Sequence, residues 1–129
     1  MRALAETALG LVAVDLQTGE AALLGEGTLP RGGPQVSLPL LVDADRHGAR
    51  IVAVVERRPP LVVSDDAGVT WREAGGGLPR GSAVAISPEH PDHIVFATAS
   101  RLYLSGDGGR FWRSLAPELI DVVAVAWEA

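Results

Sequence analysis

Cysteine, lysine and asparagine are absent from this chain of 129 residues, and aromatic side chains make up only 5% of it. Without cysteine there is no disulfide, no thiolate metal site and no Cys nucleophile. All 11 basic residues are arginine, a bias that reads as genome composition, so a pair such as Arg57-Arg58 carries little meaning by itself. A net charge of −5 argues against general nucleic-acid binding, which depends on neutralising many phosphates. No apolar run reaches the about 18 residues of a membrane-spanning helix. The opening Met1-Arg2-Ala3-Leu4-Ala5-Glu6 brings charge too early for a signal peptide. A soluble, unexported, cytoplasmic product is therefore expected, with neither nucleic acid nor membrane as partner.

What is present is an apolar content of 47%, punctuated by 15 glycines and 9 prolines. That length and content fit one packed domain over 1–129. The apolar runs are short and β-branched, and Gly and Pro interrupt them too often for helices, so the expectation is all-β.

One stretch organises the rest. Ser64-Asp65-Asp66-Ala67-Gly68-Val69-Thr70-Trp71 returns as Ser105-Gly106-Asp107-Gly108-Gly109-Arg110-Phe111-Trp112, both reading Ser-x-Asp-x-Gly-x-x-Trp. An apolar run (Leu61 to Val63, Leu102 to Leu104) enters each copy. The Ser and Asp oxygens can accept from turn amides, the Gly supplies a positive φ, and the Trp leads onward with a large apolar surface to bury. Asp66 and Asp107 are thus expected to brace the turn. The pattern resembles the Asp-box, or bacterial neuraminidase repeat, of sialidases, sortilin-type receptors and photosystem assembly factors. That resemblance implies a hairpin turn between the last two strands of a β-propeller blade, with Ser64, Asp66, Gly68, Trp71, Ser105, Asp107, Gly109 and Trp112 as its structural residues.

Gly68 to Gly109 is a step of 41 residues. A degraded copy stands at Val14 to Glu20, with Asp15 at the Ser position, Gln17 at the Asp position, Gly19 retained and Ala22 at the Trp position. Leu78-Pro79-Arg80-Gly81 follows Trp71 by seven residues, as Leu29-Pro30-Arg31-Gly32 follows Ala22, so the copies are in register. The extra residues of the longer spacing fit around Val36 to Leu41, with smaller additions at 45–50 and 57–60. The last repeat predicts strands at Ala83–Ser87, Ile94–Thr98, Arg101–Leu104 and Phe111–Ser114. The middle one predicts them at Val36–Val42, Ile51–Glu56, Leu61–Val63 and Thr70–Glu73.

A further shift of 41 carries Ser82–Ser87 onto Val123–Glu128, a copy of a first strand, whereas the N-terminus begins at a second strand. The expectation is three four-stranded antiparallel blades, 121–129 with 2–26, then 34–74 and 82–115. Closed propellers contain roughly four to eight blades, and a bare apolar strand is an aggregating edge. The tail is therefore expected to pair with the head of a second copy, giving a six-bladed ring as a two-fold homodimer.

Sialidases of the resembled family use an arginine triad, a Tyr backed by a Glu, and an acid/base. That set does not carry over residue by residue. The lone Tyr103 alternates with Leu102 and Leu104 and reads as packed sheet; a glycosidase pair needs two converging acids, for which Glu56 and Glu118 on one face are the candidates, and sequence does not show them converging. The family's ligand rim lies opposite the box turns, where Arg31, Arg80, Arg57, Arg58 and Arg101 fall, an arginine set able to hold a carboxylate, sulfate or phosphate. His90-Pro91-Asp92-His93 lacks a third metal ligand and reads as a proline turn. Asp43-Ala44-Asp45-Arg46-His47-Gly48 starts like a calcium loop, but Val54 holds the place of the bidentate Glu. Neither metal nor cofactor is expected. The function this supports is a non-catalytic module, assembled by strand exchange, for a protein, carbohydrate or anionic ligand. The alternative is a sialidase-like glycoside hydrolase or its inactive carbohydrate-binding relative.

Overall fold

The computed structural model describes residues 1–30 and 33–128, and among them all regular structure is β. The first sheet takes β1 (Arg2–Thr7), β2 (Gly10–Asp15) and β3 (Ala21–Gly25) from the head of the chain. The second holds β4 (Leu41–His47), β5 (Arg50–Val55), β6 (Leu61–Ser64) and β7 (Arg72–Ala74). The third holds β8 (Ala83–Ile86), β9 (Ile94–Ala97), β10 (Leu102–Ser105) and β11 (Arg113–Ser114), and β12 (Ala124–Trp127) closes the chain. Each sheet is four-stranded and antiparallel, the first in the order β12-β1-β2-β3.

Two expectations need correction. β12 lies against β1 of its own chain, from Ala3 opposite Trp127 to Glu6 opposite Ala124, and not on a second copy. Arg2 clasps Glu128 through two bonds of 2.8 and 2.6 Å at the end of this ladder. Closure within one chain carries none of the translational cost of association. The first strand of the second sheet is Leu41–His47 and not Val36–Val42. Val36 and Leu38 instead cover the outer face of that sheet, beside Trp71, over Ala44, Ala53, Val55 and Val62.

The third sheet is buried on both sides, which is why β8 and β9 are continuous apolar runs instead of alternating ones. Toward the first sheet it offers Ala83, Ala85, Val95, Ala97 and Leu102, which meet Ala3, Ala5, Val12 and Val14. Toward the second it offers Val84, Ile86, Ile94 and Phe96, which meet Val52, Val54, Leu61 and Val63. The three sheets form an arc with the third in the middle, not a closed ring. Equivalent segments lie side by side, so contacts between the second and third sheets recur near one repeat length: Asp43 with Val84, Asp45 with Ile86, His47 with Pro88 and Arg50 with Pro91 are each 41 residues apart.

Phe96 is the largest fully buried side chain, its ring 6.0 Å from those of both Tyr103 and Trp112. Gly81 permits this, because a Cβ there would stand 2.1 Å from Phe96 Cε1. Phe96→Ala is expected to cost about 3–5 kcal/mol and Gly81→Ala about 1–3 kcal/mol, read from urea midpoints. Val69→Ala, at a residue 80% exposed, should stay within about 0.5 kcal/mol of the parent.

Candidate functional site

The chain has two ends of different character, and between them a cavity bounded by its inner strands. At one end sit the box turns. Ser64 Oγ donates to Asp66 Oδ1 at 2.8 Å and accepts from the Gly68 amide at 2.8 Å, while Asp66 Oδ1 accepts from the Thr70 amide at 2.8 Å. The second turn repeats this. Ser105 Oγ accepts from Gly109 N at 2.9 Å, and Asp107 Oδ1 takes the amides of Arg110 and Phe111 at 3.1 and 3.0 Å. Gly68 and Gly109 both sit at φ 93°, a region in which other residues are strained. In the degraded turn Asp15 does the bracing itself, with Oδ1 accepting from the Gln17 and Thr18 amides at 2.8 and 2.9 Å, and Gly19 again has a positive φ. Trp112 packs on the core between the second and third sheets and donates to Gly109 O, whereas Trp71 packs on the outer face of its own sheet.

These carboxylates are held ionised. The Thr70 hydroxyl and amide bring Asp66 from an ordinary 3.8 down to about 2, and the Phe111 amide lowers Asp107. An acid so committed serves the backbone and has no proton to give at neutral pH.

The arginines at this end are all engaged. Arg50 spans two sheets, with Nε on Asp65 at 2.8 Å and Nη1 on Asp92 and the Pro91 carbonyl at 2.7 and 3.0 Å. Arg72 and Arg113 reach the carbonyls of Gly108 and Leu16, Arg46 that of Gly48, Arg110 that of Asp107, and Arg2 holds Glu128. His90 and His93 lie with ring centres 5.3 Å apart, and His93 stacks on Trp127 at 6.4 Å. Among the described residues no three His, Asp or Glu side chains converge as a metal set, and no helix is long and apolar enough to cross a membrane.

At the opposite end, Arg57 and Arg58 occupy the β5–β6 turn, Arg80 the β7–β8 loop and Arg101 the β9–β10 turn. None of these four guanidiniums has an ion pair or hydrogen bond to another described residue. Arg31 lies outside the described residues. The Arg101 turn is tied to the loop carrying Glu118 by Leu119 N to Ser100 O at 2.7 Å and Val122 N to Ala99 O at 2.9 Å. Glu56 and Glu118 are exposed in loops of different sheets, and Tyr103 packs half-buried against Phe96.

The inner strands β4, β8 and β12 enclose a funnel of about 630 Å³. Asp43 Oδ2 accepts from Val84 N at 3.0 Å and Asp45 Oδ2 from Ile86 N at 2.7 Å, while Trp127 Nε1 donates to Ala85 O at 3.0 Å. Burial raises the pKa of Asp43, against the pull of the Val84 amide. The segment that begins like a calcium loop is thus strand β4, its alternate acids turned together toward β8. The i, i+2 spacing of Asp43 and Asp45 was the available signal, since that spacing shares a face in a strand.

Asp43→Ala leaves the Val84 amide without its acceptor and should cost about 1–3 kcal/mol, with Asp43→Asn costing less because an acceptor remains. Asp66 has a depressed pKa, so its charge stabilises the fold fully above pH 3.8 and this contribution fades as pH falls toward about 2. In thermal melts Asp66→Asn should therefore be less stable than the parent near neutral pH, and the gap should close at about pH 2. Neither the protein-family models nor the curated proteins give a match to this chain.

Proposed function

We propose that this chain is an Asp-box β-propeller segment acting as a non-catalytic binding module, and that its ligand or partner presents anionic groups to the end opposite the box turns. The observation that carries this reading is the partition of the arginines. Six are spent on ion pairs and carbonyls at the box end, whereas Arg57, Arg58, Arg80 and Arg101 stand in loops at the other end without partners among the described residues. A guanidinium that stabilises nothing within the fold is free to take a carboxylate, sulfate or phosphate bidentately. The non-catalytic part rests on Asp66 and Asp107 being turn braces and on Tyr103 being packed into a sheet.

Three sheets are fewer than a closed propeller contains, and two copies would complete six. The apolar side chains supporting such pairing are Leu23 and Leu24 on β3, 60% and 51% exposed, and Leu40, Leu41 and Val42 at the start of β4. With β12 seated on its own β1, the two copies would meet through their end sheets. Light scattering at micromolar concentration should give twice the chain mass, and a monomer there would remove the ring.

For the anion site, sulfate and phosphate should raise the parent's melting temperature in a saturable way. Replacing Arg57, Arg58, Arg80 and Arg101 together by Ala should abolish that rise while leaving the melt without anion within a few degrees. An undiminished rise in the quadruple variant would sink the proposal.

A further inference from the structure

The three inner strands stand side by side around the funnel, yet they are not equally finished. In β8 the amides of Val84 and Ile86 point away from β9, and Asp43 and Asp45 of the neighbouring strand cap them. In β12, Glu128 N donates to Arg2 O. Alternation along that antiparallel ladder turns the amides of Ala124 and Ala126 toward β1 and those of Val125 and Trp127 toward the funnel. These are the positions that correspond to Val84 and Ile86 at the repeat step of 41.

Among the described residues such caps are missing on this side. Asp43 and Asp45 lie opposite Val54 and Val52 on β5, and the matching places opposite Ala97 and Val95 on β9 are held by Ala83 and Ala85. A methyl group accepts no hydrogen bond. No side chain among the described residues bonds the Val125 or Trp127 amide. Both residues are partly exposed and line the funnel, whose other wall carries Pro34, Leu41 and Val42 together with Asp43 and Asp45, each already bonded to a β8 amide. Its volume falls within the range of ordinary ligand pockets, about 300–1,000 Å³.

The molecule itself displays what such a pair of amides takes: two carboxylates on alternate residues of an extended strand. We propose that the funnel binds an extended acidic peptide segment, with carboxylates two residues apart capping Val125 and Trp127 as Asp43 and Asp45 cap Val84 and Ile86. Alternate residues of a strand are about 6.6–6.8 Å apart, which matches the spacing of the two amides on β12. The side chain between the two acids faces the opposite way, toward the apolar wall at Leu41 and Val42. This site is distinct from the arginine end and stands or falls without it.

The test is a titration of ¹⁵N-labelled full-length protein with a blocked peptide containing Asp-Val-Asp. The Val125 and Trp127 amides should move downfield in a saturable way, with Val84 and Ile86 unmoved. The Asn-Val-Asn peptide should bind at least tenfold more weakly. Ala83→Asp supplies the missing cap from within and should weaken the Asp-Val-Asp peptide tenfold or more; if that variant does not fold, the two peptides on the parent protein decide. Absence of shifts at Val125 and Trp127, equal binding of the Asn peptide, or the same shifts and affinity with succinate would each overturn the proposal. The quadruple arginine variant should keep these shifts, which separates the two sites.

Discussion

An amide buried without a partner costs about 1–3 kcal/mol, and a stack of small sheets creates many of them along its inner edges. The middle strand of this protein, β8, has both faces covered and one edge toward a cavity. Its free amides would be orphans but for Asp43 and Asp45, and the Trp127 indole bonds its Ala85 carbonyl. Those three bonds tie the second and first sheets to the third. The apolar packing on either side, Phe96 against the second sheet and Val95 against the first, depends on β8 staying in place between them.

The same accounting explains the box turns and the arginines. A hairpin tip at the end of a sheet has amides that no strand can pair, and Ser64, Asp66, Ser105, Asp107 and Asp15 absorb them. Arg50, Arg72 and Arg113 then take the carbonyls and carboxylates that the neighbouring turns expose. One end of the molecule is thereby largely satisfied from within, with the buried Arg72 Nε left without a hydrogen bond, 3.8 Å from Asp65 Oδ2. At the other end, the exposed Arg57, Arg58 and Arg80 and the half-buried Arg101 have no partner among the described residues, and no described side chain caps β12 as Asp43 and Asp45 cap β8. Both proposed binding sites are placed at those incomplete positions.

Much of this was legible from repeated patterns. The third-sheet strands fall within a few residues of where apolar runs and turn residues put them, because apolar packing on both faces leaves a plain signal in β8 to β10. β4 was not legible. With Asp43, Asp45, Arg46 and His47 it has the composition of a loop, while the apolar stretch before it, interrupted by Pro39, looks more like a strand than β4 does. Its acids belong there only because a neighbouring edge needs acceptors, and that edge is invisible along the chain. β7 and β11 begin later than their aromatic residues suggest, since the turns extend to Trp71 and Trp112.

From the sequence alone came the antiparallel β class, the repeat of 41 residues, the turn residues and the kinship of Val123–Glu128 to a first strand, all of which depend on local periodicity and turn chemistry. Tertiary structure alone decided that this strand joins its own head, that Val36 and Leu38 serve as a cover, and that Asp43 and Asp45 face β8. Each of those is a choice of partner. A strand edge accepts any strand, and only the distances set by the folded chain determine which one arrives.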